Sequence, residues 1–521
     1  MPGLPTRPRR AACARATTLL LLALLGGCAS LPPLEGRSAS QAIEAPRETS
    51  LRAAADRLAG EHANLSGFHS LGSGLEAFAA RKTLIDAASS SLDVQYYIWH
   101  DDMTGKLLID ALRRAADRGV RVRMLLDDNN TKGMDGTLAA LAAHPNVELR
   151  LFNPFMQRSA RLIGYLTDFS RLNRRMHNKS LTADGATTIV GGRNIGDEYF
   201  DANEGLGFFD LDVLAVGPVV HEVLASFDGY WNSASAYPAT SIVRAATPDD
   251  ASRLMGLGDA VMADPAAQRY VAALRETALV RSLLAGQLSL EWAASRVVAD
   301  EPSKVLSETK RHELLVGRLE AAIGRPIESE MDVVSPYFVP QKRGVDMFSS
   351  MTARGVQVRV LTNALEATDV AAVHSGYAHR RKALLKANVE LFELKRSAGD
   401  SPTGSAKRHG SSGSSLHAKV FGIDRRQLFV GSFNFDPRSV ELNTELGIVI
   451  DSAPFAGQVA QAFETRVPAE SYRVRLGQGG DLEWVEIREG VEVVHTHEPG
   501  AGFFKRLWVG FLSILPIEGL L

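Results

Sequence analysis

The sequence predicts an α/β protein of two duplicated units, each a mixed β-sheet flanked by helices, packed with pseudo-twofold symmetry around one active site. Three observations predict it. Strand, helix and strand alternate in the same order in both halves, which is the pattern of crossover connections. The alternation is matched in spacing: Asp93 precedes His177 by 84 positions, and Asp332 precedes His417 by 85. An eight-residue pattern also occurs twice, with His, Lys and Asp at relative positions 0, 2 and 7. One copy is His177, Lys179 and Asp184; the other is His417, Lys419 and Asp424. Each is followed, 14 positions from its histidine, by a glycine-led turn: Gly191-Gly192-Arg193-Asn194 and Gly431-Ser432-Phe433-Asn434.

The chain opens with a segment that reads as a targeting signal. Arg7, Arg9, Arg10 and Arg15 precede the apolar run Leu19-Leu20-Leu21-Leu22-Ala23-Leu24-Leu25, which meets Gly26-Gly27-Cys28. The run falls short of the roughly 20 apolar residues that span a bilayer. Leu25-Gly26-Gly27-Cys28 resembles the lipobox of bacterial lipoproteins, which implies that residues 1–27 are a signal peptide and Cys28 the lipidated first residue of a lipoprotein in the cell envelope, facing the periplasm. The alternative is an ordinary secretory signal with Cys28 incidental. The chain's 2 cysteines are Cys13 and Cys28, so the folded body holds no disulfide, no cysteine nucleophile and no cysteine metal cluster. Removing residues 1–27 takes away four arginines and no acid. The rest carries 54 basic and 60 acidic residues, a balance that argues against a nucleic-acid partner.

Residues 28–75 read as a lead segment and 76–240 as the first unit. Within it, 92–98 is an apolar strand and 105–118 a helix with Leu107, Leu108, Ala111, Leu112 and Ala115 on one stripe. Gly119 stops that helix, and 120–126 is the next strand. Residues 241–325, rich in Ala, Arg, Leu and Glu, read as a mostly helical connector. The second unit, 326–470, repeats the pattern with a strand at 331–334, a helix at 344–354, a stop at Gly355 and a strand at 356–361. Residues 397–415 are Ser- and Gly-rich and read as a mobile loop. A tail at 471–521 ends in an apolar stretch from Phe503, with Trp508 and two cations suited to a membrane interface or to packing on the body.

Each His-x-Lys falls in a run that reads as a strand, 176–183 and 416–423, so its histidine and lysine share a face. Asn194 and Asn434 emerge just past the return strands. Two His, two Lys and two Asn in one site suit attack on a phosphodiester. Lysine and asparagine stabilise the phosphoryl oxygens, one imidazole attacks phosphorus, and the other moves the proton. The two imidazoles must start in opposite protonation states. The cations are built in, so the motif calls for no metal or cofactor. Each histidine needs an acid to orient it: Asp210 or Asp212 on one side, with Asp210 preferred, and Glu445 on the other. Asp184 and Asp424 sit at turn positions, which favours a structural part, ordering the hairpin and the lysine, over direct chemistry. His100 and His374 are weaker candidates for headgroup contact.

These residues resemble the phospholipase D superfamily, whose signature is a doubled H-x-K-x4-D followed by a G-[GS]-x-N turn. The resemblance covers roughly residues 75–470. Within it, Tyr96-Tyr97-Ile98-Trp99-His100-Asp101-Asp102, Arg175-Met176-His177-Asn178-Lys179-Ser180, Val373-His374-Ser375-Gly376-Tyr377 and the run from Gly431 to Ser439 are similar to type-C bacterial cardiolipin synthases. The resemblance implies a phosphatidyl transferase that forms cardiolipin through a phosphohistidine. The alternatives are hydrolysis to phosphatidic acid or a secreted nuclease. It also implies His177 as nucleophile, His417 as acid and base, and acids that cross between the halves, pairing His177 with Glu445 and His417 with Asp210. Asn194, Asn434 and Ser432 are expected on the substrate phosphate. Only the second turn offers a hydroxyl, Ser432, so the site is not a perfect twofold. The partners implied are phospholipids and a membrane surface met through Cys28 and residues 503–521.

Overall fold

The computed structural model describes residues 31–34, 37–43, 49–60, 62, 64–202, 208–284, 287–306, 314–368, 370–398 and 413–513. Cys28, the signal segment, most of the Ser- and Gly-rich loop and the last eight residues lie outside the described residues. Among those described, no helix is long and apolar enough to cross a membrane.

The first half contributes β1 (Ser66–Leu71), β2 (Ser91–Ile98), β3 (Arg121–Asn130), β4 (Val147–Phe152), β5 (Ser180–Ala183), β6 (Thr187–Gly191), β7 (Phe208–Phe209), β8 (Asp212–Val216) and β9 (Ala236–Pro238). Then come β10 (Glu291–Ala293), β11 (Ser295–Ala299), β12 (Glu330–Val334), β13 (Gln357–Asn363), β14 (Glu390–Leu394), β15 (Ser397–Ala398) and β16 (Gly413–Leu416). The chain closes its sheets with β17 (Val420–Ile423), β18 (Gln427–Gly431), β19 (Leu446–Ile450), β20 (Ser471–Leu476), β21 (Leu482–Arg488) and β22 (Val491–His495).

One sheet runs β10-β1-β8-β6-β5-β2-β3-β4-β9 and the other β11-β19-β18-β17-β12-β13-β14-β20-β21-β22. From β1 to β9, and from β11 to β20, the two sheets match strand for strand. β2, β3 and β4 are parallel, as are β12, β13 and β14, and the remaining pairs in that shared order are antiparallel. This is the expected duplicated mixed-sheet fold. The crossover helices behave as read: Asp102 caps the helix Met103–Asp117 by accepting from the Gly105 N–H, and Gly119 ends it in the left-handed region at φ 93°. Gly355, at φ 89°, ends the helix Gln341–Ala353 in the same way.

Four expectations are corrected. The lead segment is not outside the first unit, because β1 pairs with β8. The connector is not helices alone: between its first helices and the helix Leu315–Ile323 it supplies β10 to one sheet and β11 to the other, so it stitches the two halves together. The tail is not a separate element, because β20, β21 and β22 extend the second sheet. Finally, His-x-Lys does not lie within a continuous strand: residues 177–179 precede β5, and residues 417–419 fall between β16 and β17.

Between the sheets lies an apolar layer drawn from both halves, including Phe68, Val190 and Val213 from one and Leu416, Val430 and Ile448 from the other. Each such buried side chain contributes about 1.5–3 kcal/mol. The layer fixes the two histidine segments against one another.

Candidate active site

The breaks at the two His-x-Lys segments have a physical cause. In both, the backbone leaves its own sheet to pair with the opposite half. The N–H groups of His417 and Ala418 both donate to the carbonyl of Phe209, at 2.8 and 2.9 Å. The His177 N–H donates to the Thr444 carbonyl at 2.8 Å, and the Thr444 N–H donates to Arg175 at 2.9 Å. Phe209 and Thr444 each stand one residue before an acid. The main chain therefore delivers each acid to the histidine of the other half. Glu445 Oε2 lies 2.8 Å from His177 Nδ1, and Asp210 Oδ2 lies 2.6 Å from His417 Nδ1. Asp212 is turned away and pairs with Arg81 at 2.9 Å in the interior.

Both histidines, both lysines and both acids are buried. Lys179 Nζ donates to the His177 carbonyl at 2.5 Å and stands 5.5 Å from the Tyr97 ring. Lys419 Nζ lies 3.0 and 3.1 Å from the two ring nitrogens of His417. Tyr97 meets the His177 ring edge-on at 4.9 Å, and Tyr199 meets His417 in the same way at 5.1 Å.

The electrostatics of the two halves diverge. Burial pushes His177 well below its ordinary value, helped by the charges of Lys179 and Lys419. Its partner Glu445 is lifted by burial to about 7, against the pull of Lys179 and the Ser432 hydroxyl. Both shifts favour an uncharged pair. On the other side, burial alone would raise Asp210, but His417, Lys419 and Arg193 outweigh it and hold the carboxyl below the usual range. His417 is lowered by burial and by Lys419, and the Asp210 carboxylate opposes that fall. Burial brings Lys179 down to about 7, although Glu445 pulls it up.

The remaining expected residues take other places. Asp184 sits beyond β5 from His177, in the left-handed region at φ 51°, and its carboxylate accepts from the N–H groups of Ser89, Ser90 and Ser91. Asp424, at φ 50°, does the same for Glu328, Ser329 and Glu330. Both carboxylates lock the start of a central strand, and their hydrogen bonds do not run to the motif lysines. The Ser432 hydroxyl is spent inside the protein, donating to Glu445 Oε2 and accepting from the Leu446 N–H at 3.0 Å. In the first half a Cβ at Gly192, Ser432's counterpart, would stand 2.1 Å from Asp210, so the acid fills the space of the hydroxyl. Asn194 accepts from the Ile98 N–H at 3.2 Å and donates to the Tyr199 hydroxyl at 3.1 Å. That makes it a support for Tyr199 rather than a group held free for phosphate. Asn434 is buried, and its Oδ1 has no hydrogen-bond partner among the described residues.

His374 is interior, 2.7 Å from Arg381 Nη2 and 3.3 Å from Glu498. His100 is half-exposed, 3.2 Å from Glu198, whose hydrogen bond raises it. With Asp102 these two bring three possible ligand atoms within 4.8 Å, although Asp102 already serves as a helix cap. Tyr97, Tyr199 and a buried pair from the connector escaped sequence reasoning. Asp300 exchanges backbone bonds with Glu445, accepting its N–H at Oδ2 and donating its own N–H to the Glu445 carbonyl, each at 3.0 Å. Lys304 neutralises Asp300 at 2.9 Å. The signal for Asp300 was present only in the register of β11 against β19, where Ala299 faces Leu446.

Comparison with known proteins gives the family. The family described as "Cardiolipin synthase, PLD-like domain" matches residues 82–231 and 321–467, one match in each half. Cardiolipin synthase C of Escherichia coli (strain K12) is 47% identical over 465 residues, covering 89% of this chain and 98% of its own length. An uncharacterised protein of Helicobacter pylori (strain ATCC 700392 / 26695) is 29% identical and covers 88% of this chain and 90% of its own. Among solved structures, phosphatidylserine synthase of Haemophilus influenzae Rd KW20 shares the fold, with a TM-score of 0.51 and 14% identity. It covers 80% of this chain and 91% of its own. The chain belongs to the phospholipase D family, in its cardiolipin synthase branch.

Proposed function

We propose that the chain is a phosphatidyl transferase that forms cardiolipin from phospholipids through a phosphohistidine intermediate. The observation that carries the mechanism is the crossed pairing of His177 with Glu445 and of His417 with Asp210. In the first step, neutral His177 Nε2 attacks the phosphorus of a bound phospholipid. The P–O bond to the headgroup alcohol breaks as protonated His417 gives its proton to the leaving oxygen. The ionised Asp210 favours that imidazolium, and the depressed His177 is the free base. In the second step His417 removes the proton from a glycerol hydroxyl of phosphatidylglycerol, whose oxygen displaces His177 from phosphorus. Lys179, Lys419 and the amide of Asn434 stabilise the charge on the phosphoryl oxygens. Asp184 and Asp424 act on the scaffold.

The same reading places the protein in the cell envelope facing the periplasm, with Cys28 lipidated. The run Leu25-Gly26-Gly27-Cys28 supports it. The helix Phe503–Leu512 supports membrane contact as well. It buries Val509 and Leu512 on the body and leaves Phe503, Phe504, Leu507, Trp508 and Phe511 exposed.

The test is a product assay on the purified protein, with phosphatidylglycerol labelled in its acyl chains and unlabelled phosphatidylethanolamine as a second donor. Labelled cardiolipin is the expected product. Phosphatidic acid as the main product would replace the transferase with a hydrolase.

A further inference from the structure

Segment 157–175, between β4 and the first histidine motif, carries side chains that the site does not use. It forms two short helices, Arg161–Thr167 and Phe169–Leu172. No residue of the first is buried. Its amphipathic pattern is turned inside out. Arg161 and Tyr165, one turn apart, fasten it to the body: Arg161 donates to the Asn129 carbonyl, the Tyr165 hydroxyl donates to Asn129 Oδ1 at 2.7 Å, and the Tyr165 ring meets Phe155 at 5.3 Å. The apolar side chains face outward. Leu162 is 73% exposed, Ile163 44%, Leu166 80% and Phe169 54%. Four large apolar groups within eight positions on an outer surface are a contact waiting for an apolar partner.

Topology says where this surface lies. β2 and β5 pair so that Gln95 faces Ser180, which puts Lys179 and His177 at the carboxyl ends of the parallel strands. The two helices leave β4 at that same edge and are tied to it. Asn153 Nδ2 donates to the carbonyls of Arg171 and Arg174, at 2.9 and 2.6 Å. Arg175, two residues before His177, pairs with Asp127 near the end of β3 at 2.7 Å. In the other half, Lys505 of the exposed aromatic helix reaches the Thr368 carbonyl at 3.3 Å, in the loop that follows the carboxyl end of β13. An outward apolar helix from each half thus stands at the edge that carries the site.

Position and charge together point to one kind of partner. Of the five arginines in segment 157–175, four meet acids: Arg158 pairs with Asp128 and Asp135, Arg161 approaches Asp128, Arg171 pairs with Asp168 and Arg175 with Asp127. Arg174 donates to the Lys304 carbonyl at 3.0 Å, and Lys132 is exposed nearby. Apolar side chains flanked by Arg174 and Lys132, at the edge that carries a phospholipid-handling site, match a phospholipid bilayer.

We propose that the helices Arg161–Thr167 and Phe169–Leu172 are a bilayer-docking element, inserting Leu162, Ile163, Leu166 and Phe169 to seat the active-site edge on its lipid substrate. The inference rests on the lipid reading of the site. Its primary test does not depend on turnover.

The test uses the full chain with Cys13→Ser and Cys28→Ser, carrying Leu166→Cys labelled with an environment-sensitive fluorophore. Asp259→Cys, on an exposed helix elsewhere, is the control. In vesicles of phosphatidylglycerol and phosphatidylethanolamine, the probe at 166 is expected to shift to the blue and to be quenched by lipids brominated along the acyl chain, while the control does neither. A probe at 166 that stays as exposed as the control overturns the proposal. So does a blue shift without vesicles that grows with protein concentration, which would mean that the face meets a second copy. A second variant, Leu162→Ser with Ile163→Ser, Leu166→Ser and Phe169→Ser, is expected to lose at least tenfold in kcat/KM on vesicle lipid. It should stay within twofold on a short-chain phospholipid below its micellar concentration. Equal losses on both substrates would mean a structural role and overturn it. If the probe inserts while neither substrate turns over in the parent chain, docking stands and the reaction reading falls.

Discussion

Burial lowers both imidazoles, and what separates them is the acid that each one faces, which favours the division of work proposed above. His177 faces an acid lifted to about 7 and is itself pushed well down, so it waits as a free base. His417 faces an acid held ionised, which favours the imidazolium needed to protonate a leaving alcohol. A phosphatidyl ester of p-nitrophenol separates the two roles, because its leaving group needs no proton. His417→Ala is expected to release close to one equivalent of p-nitrophenol in a burst and to retain the phosphatidyl group on His177, seen after an alkaline quench. His177→Ala should show no burst; a burst there would exchange the two assignments. Asp210→Asn removes the charge that favours His417 as a cation, and kcat with natural lipid is expected to fall on the order of 10²–10⁴-fold. Lys179 adds a pH dependence with a definite sign. Its folded value of about 7 lies below its ordinary one, so the cation is lost as pH rises through neutrality, and the substrate phosphate loses a partner. KM for phospholipid should therefore rise between about pH 7 and 9, more steeply than kcat changes, because bound phosphate holds the proton on Lys179. Lys179→Arg stays charged over that range and should flatten the rise in KM. An unchanged slope would remove Lys179 from phosphate binding.

At the scale of elements, the aspartates of the repeated motif brace strands. Asp184 and Asp424 occupy left-handed turn positions, and each carboxylate satisfies three successive backbone N–H groups at the start of β2 or β12. A buried polar group left without its partner costs about 1–3 kcal/mol. Asp184→Ala is thus expected to lose at least about 2 kcal/mol in urea unfolding, with Asp184→Asn losing less. The soluble fraction of either variant should keep a kcat within a few-fold of the parent. A tenfold fall in kcat at unchanged stability would return Asp184 to the chemistry. The same scale explains what could be read from the residues. The apolar run of β2 and the stops at Gly119 and Gly355 are local signals, and the structure follows them. Asp210 and Glu445 were legible mainly through the family resemblance, because they stand 16 and 11 residues past Asn194 and Asn434 and spacing separates Asp210 from Asp212 poorly. β1, β10 and β11 were not, because Ser-Gly-Phe-His-Ser-Leu and Glu-Trp-Ala gain their burial from partners far along the chain. The alternation in 176–183 reads as one strand, and only the opposite half's backbone at Thr444 interrupts it. Tyr97 and Tyr199 face the histidines through packing alone, which no spacing announces.

For the whole molecule, duplication has produced one site that neither half can complete. Each half brings a histidine and a lysine but orients the histidine of the other half, and the hooks at Phe209 and Thr444 place that exchange in the main chain. The connector tightens the arrangement. β10 and β11 edge the two sheets in turn, and Asp300, neutralised by Lys304, holds the backbone of Glu445. The apolar layer shared by the sheets makes separation costly, since each of its buried side chains contributes about 1.5–3 kcal/mol. A site closed within one chain has a consequence for mixtures. In an equimolar mixture of His177→Ala and His417→Ala proteins, every molecule lacks one of the two imidazoles. Activity on labelled phosphatidylglycerol should remain at the level of the single variants at every protein concentration tested. If copies instead exchanged halves, so that the first unit of one chain completed the second unit of another, mixing would rebuild intact sites. About a quarter to a half of parental activity would then return, rising with incubation time. The crossed hydrogen bonds within a single chain, including the Met176–Thr444 bridge and the parallel pairing of β7 with β16, argue for the first outcome.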